Sequence, residues 1–376
     1  MVSKVYFIDM FAKDSDDRIS RKIKRLFNAA ELGKTIQKND LTAIKVHLGE
    51  MGNSTFVPPW HVRAIIDQVK EAGGKPFVTD TNTLYRGMRQ NAVDHLTVAT
   101  LHGFTFGTLG APVIIADGLK GRNQIEVEIN QKHFKTVKLA QSIVQADHII
   151  MSSHFKGHLM AGFGGAIKNM AMGGATPEGK KEQHSVRPQL NEEGECVGCG
   201  TCKEHCPADA IFIVEGKAEF DAELCIGCGE CVGRCPEEAI QLNWETEIPD
   251  FTERMVEYAY GIWKSHKNKI GFINFVLNVT PECDCFDISQ RTIVNDVGIL
   301  ASNDPVALDK ACLDLVNQQQ GKQNSLLKNH HEIGKDKFTG MHKETRPDLQ
   351  ISYAESIGLG SSEYELIDLS SKHEKD

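Results

Sequence analysis

Eight of the eleven cysteines in this chain lie in one segment and repeat a single spacing. In each set of four, the cysteines are separated by two, two and three residues, and a proline follows the last one. The surrounding residues repeat as well, since Cys-Val-Gly-Cys-Gly-Thr-Cys is matched by Cys-Ile-Gly-Cys-Gly-Glu-Cys. This self-similarity indicates an internal duplication. The two sets are Cys196, Cys199, Cys202 and Cys206, and Cys225, Cys228, Cys231 and Cys235.

The cysteine spacing favours iron–sulfur chemistry. A tight loop with three thiolates at two-residue intervals can surround one face of an iron–sulfur cube, and the fourth thiolate of the bacterial two-cluster pattern ligates the other cube. Disulfides conflict with the cytoplasmic location expected below, and zinc sites usually pair two C-x2-C knuckles. We therefore predict two [4Fe–4S] clusters. The predicted ligands are Cys196, Cys199, Cys202 and Cys235 for cluster 1, and Cys225, Cys228, Cys231 and Cys206 for cluster 2.

The segment from about residue 192 to 243 resembles a bacterial-type two-cluster ferredoxin domain. The resemblance implies a compact module that passes single electrons. The segment holds twelve acidic and three basic residues, and its net charge of −9 equals that of the whole chain. Such an acidic surface would steer a basic partner, or it serves solubility alone. The expected partner is a redox protein or a small-molecule electron donor or acceptor.

Composition and charge argue against several other functions. The 376 residues are 40% hydrophobic, which is enough for a large core and about two to three domains. A net charge of −9 disfavours nucleic-acid binding, which needs clustered Lys and Arg. No apolar run reaches the ~18 residues of a membrane helix, and the first residues lack the apolar core of a signal peptide. We therefore expect a cytoplasmic protein that binds neither nucleic acid nor membrane.

Outside the cysteine repeats, short β-rich runs alternate with amphipathic helical patterns. This alternation predicts an α/β fold with a mostly parallel sheet and flanking helices, interrupted by a small α+β ferredoxin-like insert. We expect one α/β domain, formed by 1–190 and 244–376, with a ferredoxin-type domain at 191–243 between linkers. The alternative is two α/β domains bridged by the insert. Strands are predicted at 4–10, 42–47, 76–79, 112–116, 148–151, 270–279 and 297–301, helices at 18–32, 60–72, 91–102, 250–267 and 304–316, and linkers at 173–189 and 243–249.

Several motifs of the α/β part resemble the Fe–S centre proteins that carry domain of unknown function 362. The resemblance runs over nearly the whole chain. It implies the organisation of the fold and the cluster content, but it implies no reaction. The motifs are Val78-Thr-Asp-Thr-Asn, Asn91-Ala-Val-Asp-His, Gly110-Ala-Pro-Val-Ile-Ile-Ala-Asp-Gly, His154-Phe-Lys-Gly-His, Gly164-Gly-Ala-Ile-Lys-Asn and Gly298-Ile-Leu-Ala-Ser-Asn-Asp-Pro-Val-Ala.

Candidate catalytic residues follow the predicted strand at 148–151. In α/β sheets, loops at the carboxyl ends of strands form the ligand crevice. There His154, Lys156 and His158 could bind a metal, transfer protons or hold an anion, although they could also be a solvated loop. The glycine-rich run at 157–169 matches neither nucleotide-binding motif. The run predicts a helix that begins near residue 164. Free N–H groups at the start of this helix could bind a carboxylate or phosphate beside Lys168. Alternatively, the glycines only allow close packing of the backbone.

Two further cysteines form a C-x-C pair after the predicted strand at 270–279. Cys283 and Cys285 could ligate one soft metal or cycle between dithiol and disulfide, or they are ordinary loop residues. With His154 and His158 they would complete a third metal site with two sulfur and two nitrogen ligands.

These features together predict an iron–sulfur redox protein. Its clusters would exchange single electrons with a substrate or cofactor in the α/β crevice, where Lys156, His158 and Lys168 are the candidate catalytic residues. The enzyme class compatible with this is an oxidoreductase. The alternative is a non-enzymatic electron carrier, or a cluster-bearing adaptor or sensor that docks a protein partner.

Overall fold

The computed structural model describes residues 2–85, 87–184, 187–191, 195–242 and 247–370. Within these ranges the strands are β1 (Ser3–Asp9), β2 (Leu41–Lys45), β3 (Lys75–Asp80), β4 (Val113–Ile115), β5 (Gln124–Glu128), β6 (Thr136–Ala140), β7 (His148–His154), β8 (Lys156–His158), β9 (Gly162–Gly164), β10 (Pro188–Leu190), β11 (Ile211–Val214), β12 (Lys217–Phe220), β13 (Ile240–Leu242), β14 (Ile270–Val276), β15 (Gly298–Ser302) and β16 (Tyr364–Asp368).

The described α-helices alternate with these strands over much of the chain. They are α1 (Ile19–Ala29), α2 (Pro59–Glu71), α3 (Ala92–Leu101), α4 (Phe106–Leu109), α5 (Gln141–Val144), α6 (Ala166–Gly174), α7 (Pro177–Gln183), α8 (Thr201–Glu204), α9 (Glu230–Arg234), α10 (Glu247–Ser265), α11 (Pro305–Asn317), α12 (Lys337–Met341) and α13 (Pro347–Ser356). None of the described helices is both long and apolar enough to cross a membrane.

Eight strands form one sheet in the order β16-β1-β15-β14-β7-β2-β3-β4. Of these, β15 alone runs against its neighbours, and the other seven strands point the same way. The predicted α/β fold with a mostly parallel sheet is therefore confirmed. Each of the seven predicted strands belongs to this sheet, whereas the edge strand β16 was not predicted.

The two faces of the sheet are covered by separate apolar cores. In β7, Ile149 and Met151 belong to the core that includes α6, α10 and α11, whereas Ile150 belongs to the core that includes α1 and α2. All seven residues of β7 and of β14 are buried, as expected for strands with helices on both faces. Cys312 on α11 is buried in the first core. The rigid sheet thus holds the ends of its strands in fixed positions.

The cysteine-rich segment has a small apolar core of its own, which includes Ala210, Ile211 and Ile240. Its strands form two short antiparallel pairs, β10 with β13 and β11 with β12. Each cysteine set carries a one-turn helix, α8 or α9.

The linker prediction was partly wrong. Residues 177–183 form α7, which begins with Thr176 as the N-terminal cap and Pro177 in the first turn. Helix α10 already begins at Glu247, inside the second predicted linker. The rest of that linker and the predicted domain boundary at 243–244 lie outside the described residues.

Candidate functional site

A cavity opens at the carboxyl-end edge of the main sheet. It has about 950 Å³ of empty space, including its open mouth, and we call it the crevice. Its lining includes residues at or just after the ends of β2, β3 and β7 and residues of the second cysteine set, so it lies between the two parts of the molecule. The functional side chains in the lining are His47, Asp80, Tyr85, Arg89, Lys156, His158, Lys168, Lys180, His184, Cys228, Glu230, Cys283 and Cys285.

A buried carboxylate joins the loop after β14 to the end of β7. Asp284, the middle residue of the C-x-C pair, lies 2.8 Å from His154 Nδ1 and 3.7 Å from Lys156 Nζ. Burial opposes ionisation of this carboxyl, but the charges of His154 and Lys156 hold its pKa well below the usual range. The ionised Asp284 therefore fixes the C-x-C loop against the crevice.

His154 has a different role from the metal ligand that the sequence suggested. Its Nδ1 faces Asp284, and its Nε2 lies 2.8 Å from the carbonyl oxygen of Leu277. Both ring nitrogens lie within hydrogen-bonding distance of oxygen atoms of the chain, so neither is free to serve as a metal ligand in the crevice. The structure therefore places His154 behind the crevice wall, as a residue that positions Asp284.

His158 lines the crevice and can offer a ring nitrogen to a ligand there. Its Nδ1 accepts hydrogen bonds from the backbone N–H groups of Met160 and Ala161, both at 3.1 Å. Burial, reinforced by the nearby charges of Lys168 and Lys156, lowers the pKa of this ring well below its ordinary value. The neutral ring therefore carries its proton on Nε2, which can donate a hydrogen bond to a ligand.

A glycine brings His158 close to the C-x-C loop. A Cβ on Gly157 would come within 2.0 Å of the carbonyl oxygen of Pro281, so a larger residue would separate the β8–β9 hairpin from that loop. As a result, one ligand atom each from His158, Cys283 and Cys285 lie within 4.8 Å of one another. This group could hold a metal ion, but in the structure the two sulfurs form a disulfide.

Lys168 carries an amine without a hydrogen-bonding or ionic partner among the described residues. It is half-buried on the first turn of α6 and lines the crevice with Lys156 and His158. Burial and the charge of Lys156 lower the pKa of its ammonium group to about 7. An amine with this pKa can both give and take a proton near neutral pH.

The amino terminus of α6 is not the open anion site that the glycine-rich run suggested. The backbone N–H groups of Ala166 and Ile167 donate to the two carboxylate oxygens of Asp309, at 2.8 and 2.9 Å. A Cβ on Gly165 would come within 2.3 Å of Asp309 Oδ1, so this contact requires glycine. A carboxylate does bind here, as the helix-terminus argument implies, but it comes from α11 of the same chain.

Two crevice residues come from the segment that was predicted as a linker. Lys180 Nζ donates to Thr81 Oγ1 at 2.7 Å and has no carboxylate within 4 Å among the described residues. Burial lowers its pKa to about 8. His184 donates from Nδ1 to the Lys180 carbonyl, which leaves Nε2 as an acceptor, and burial lowers the pKa of the ring to about 4. The Thr176-Pro177 start signal for α7 could have revealed both residues.

The acidic groups near the sheet end are already neutralised. Asp80 pairs with Lys45 at 2.9 Å and contacts Arg89 at 3.5 Å, and Arg89 also pairs with Glu50 at 3.0 Å. These pairs are buried and hold the loops after β2 and β3 together. Because Lys168 and Lys180 have no such carboxylate within reach in the described residues, the crevice has an excess of positive charge and favours an anionic ligand.

The cysteine sets surround two smaller cavities. One, of about 320 Å³, is lined by four thiols, and the other, of about 350 Å³, is lined by the other four. Backbone N–H groups lie 3.3–3.4 Å from the sulfurs of Cys196, Cys206, Cys225 and Cys235. The first cavity is lined by Cys196, Cys199, Cys202 and Cys235, and the second by Cys206, Cys225, Cys228 and Cys231.

The two thiol cavities differ in their surroundings. Cys199, at the first, is exposed, whereas Cys231, at the second, is buried. Burial raises the pKa of Cys228 to about 12, so this thiol ionises at neutral pH only if a cation such as a metal stabilises the thiolate. Cys228 and Gly229 line the second thiol cavity and the crevice alike. The second cavity therefore adjoins the crevice directly.

Fold and site together define a class of α/β protein in which a cation-rich crevice at the strand ends adjoins a cysteine-rich segment. Residues 42–314 match the family described as Domain of unknown function (DUF362), which is more than half of the chain. The chain belongs to this family, which confirms the part of the motif-based prediction that concerns domain of unknown function 362.

Comparisons with solved structures and with curated proteins do not assign the chain to any further family. Among solved structures, the chain is similar to the lactate racemase apoprotein from Thermoanaerobacterium thermosaccharolyticum, with 12% sequence identity and a TM-score of 0.39. The match covers 73% of this chain and 51% of that one, so this chain spans about half the length of that protein. No curated protein matches the chain significantly in sequence.

The lowered pKa of Lys168 predicts unusual reactivity. Trace acetylation of the protein at a series of pH values, read by peptide mass spectrometry, should label Lys168 with half-maximal rate near pH 7. The exposed Lys343 in the same sample is the internal control. If Lys168 is labelled only at the higher pH values at which Lys343 is labelled, the lowered pKa of Lys168 is contradicted.

The Asp309 contact predicts a pH-dependent stability difference. Burial raises the pKa of this carboxyl from 3.8 to about 6, so between these values the unfolded chain releases the proton before the folded one. Wild type should therefore lose about 2 kcal/mol relative to Asp309→Asn as the pH rises from 3.8 to 6. Urea unfolding of both proteins across this range measures the difference, and a constant difference would contradict the prediction.

Proposed function

We propose that this protein is an iron–sulfur redox protein that exchanges single electrons with a small anionic molecule bound in the crevice. The observation that carries the proposal is the position of Cys228, which lines both the second thiol cavity and the crevice. A redox group in that cavity would be next to the bound molecule. The class of reaction is oxidoreduction.

The thiol cavities fit two [4Fe–4S] clusters. Each is lined by four cysteines, and each set combines three cysteines of one repeat with the fourth cysteine of the other. This exchange is the arrangement of the bacterial two-cluster pattern. Clusters in these cavities would supply one-electron chemistry. Residues 191–243 would then be a ferredoxin-type domain inserted into an α/β domain of residues 1–190 and 244–376.

The different exposure of the two cavities supports a direction for electron flow. Cys199 at the first cavity is exposed, and the segment around it is strongly acidic, so a basic redox protein or a small-molecule donor can approach there. The second cavity adjoins the crevice instead. We infer that electrons are exchanged with the partner at the first cavity and with the crevice ligand at the second.

The crevice residues of the chain would bind and orient the ligand. Lys168 and Lys180 offer positive charges that no carboxylate within 4 Å in the described residues neutralises, which suits a carboxylate or phosphate group. His158 Nε2–H would donate a hydrogen bond to the ligand, and Lys168 would give or take a proton as the ligand changes its electron count. Lys156, held by Asp284, adds a fixed charge at the same wall.

Metal and sulfide analysis tests the cluster assignment. Protein purified without oxygen should contain about eight irons and eight sulfides per chain. A variant in which Cys206, Cys225, Cys228 and Cys231 are replaced by Ser should retain about four of each, and Cys312→Ala, in the α/β core, should retain all eight. Zinc in place of iron, or the absence of sulfide, would contradict the proposal.

A lysine variant tests the crevice. Lys168→Met should keep its iron and sulfide, while oxidation of the reduced protein by small anionic acceptors, such as a panel of 2-oxo acids, should slow at least ~10-fold because the binding charge is lost. The exposed Lys343→Met is the matched control and should behave as wild type. Equal rates for all three proteins would favour the electron carrier or adaptor over an enzyme.

A further inference from the structure

The C-x-C pair lies in the crevice lining together with the second cysteine set. Cys283 is 4% exposed, whereas Cys285 is half-buried, and their sulfurs form a disulfide. Both residues line the crevice with Cys228 and Lys168. The disulfide therefore lies near the second thiol cavity and can contact a ligand bound in the crevice.

The loop that carries the pair is anchored on α9. Arg234 Nη1 donates to the carboxylate of Asp287 at 2.8 Å, and its guanidinium lies 5.5 Å from the ring centre of Phe286. Gly233 packs so closely under Phe286 that a Cβ there would come within 2.8 Å of the ring. Helix α9 also contains Cys231 of the second set. The disulfide and the second thiol cavity are therefore held against each other by side chains, independently of any ligand.

The other end of the loop is equally fixed. Asp284 is fully buried between His154 and Lys156, and its carbonyl oxygen accepts a hydrogen bond from the backbone N–H of Glu50 at 3.0 Å. An ordinary surface loop would not need a buried ion pair between its two cysteines. The fixed position is what a reactive pair requires, because electron transfer and thiol chemistry both depend on a constant geometry.

The surroundings of the pair disfavour a metal site. The Nδ1 of His158 already accepts two backbone N–H bonds, so the neutral ring keeps its proton on Nε2. Lys156 and Lys168 line the same crevice, and their positive charges would oppose a dication. The same cations and the Nε2–H group would instead stabilise the thiolates that form first when the disulfide is reduced, before protons bind the sulfurs.

We propose that Cys283 and Cys285 are a redox-active disulfide that takes two electrons, one at a time, from the side of the second thiol cavity and holds them in the crevice as a dithiol. The inference rests on the proposed function, since the reductant is the cluster proposed for that cavity. The S–S bond breaks, two electrons enter, and two protons bind the sulfurs to give two thiols. The pair would convert single-electron delivery into two-electron chemistry, and the half-buried Cys285 is the sulfur that a crevice ligand reaches.

Electron counting with thiol labelling tests this proposal. Protein with its full iron and sulfide content is incubated with an oxidised small dithiol, desalted without oxygen, and titrated with a photoreduced deazaflavin, which donates single electrons. Wild type should take up about four electrons per chain, and Cys283→Ser/Cys285→Ser about two, with equal bleaching of the cluster absorbance. N-ethylmaleimide and mass spectrometry should find Cys283 and Cys285 alkylated only after reduction.

The control variant and the contrary outcomes separate the two proposals. Cys312→Ala, which changes a cysteine buried in the α/β core, should take up about four electrons, as wild type does. Iron-free protein given the same donor should keep the pair unalkylated. If the clusters bleach but wild type takes up about two electrons and the pair stays linked, the disulfide proposal is overturned and the proposed function stands. Alkylation of the pair before any electron is added also overturns it, and protein without iron and sulfide overturns both.

Discussion

The arrangement of the crevice depends on one buried carboxylate. Asp284 is fully buried, lies 2.8 Å from His154 Nδ1 and stands between the two cysteines of the C-x-C pair. Replacing Asp284 by an uncharged residue would remove the buried carboxylate that both His154 Nδ1 and Lys156 Nζ approach, and breaking a buried pair typically costs about 3–5 kcal/mol. This contact joins the end of β7 to the loop after β14, and Lys156 and the disulfide take their positions from it.

The crevice combines fixed structural charges with free functional ones. Around Asp80, the positive charges of Lys45 and Arg89 are matched by carboxylates and serve the packing of the strand-end loops. Lys168 and Lys180 lack such partners among the described residues, and burial lowers the pKa of both. The paired charges of Lys45 and Arg89 keep the site rigid, and Lys168 and Lys180 allow it to bind an anion. This division explains why so many basic residues can line one cavity of an acidic protein.

Much of the fold could be predicted because its signals are local. The runs that became β7 and β14 each contain a short apolar stretch, at Ile149–Met151 and at Phe272–Ile273, and burial on two faces follows from strand geometry. The edge strand β16 was missed because it follows a long stretch with weak periodicity, and α7 was missed because glycine and charge in its segment looked like a linker. Strand-end placement brought Lys156 and His158 to the crevice, since the carboxyl ends of parallel strands meet at one edge.

By itself, the sequence determined the cysteine pattern, the class of fold and the family, since these follow from spacing and periodicity within short segments. Only the tertiary structure decided what the polar residues do. His154 and Asp284 are 130 positions apart, and Asp309 is 143 positions from the N–H group of Ala166 that it accepts. No local pattern encodes such contacts, because they arise when distant strands and helices pack together. That packing turned a predicted metal ligand into a positioning residue, filled a predicted anion site with the chain's own carboxylate, and set the C-x-C pair beside the second cysteine set.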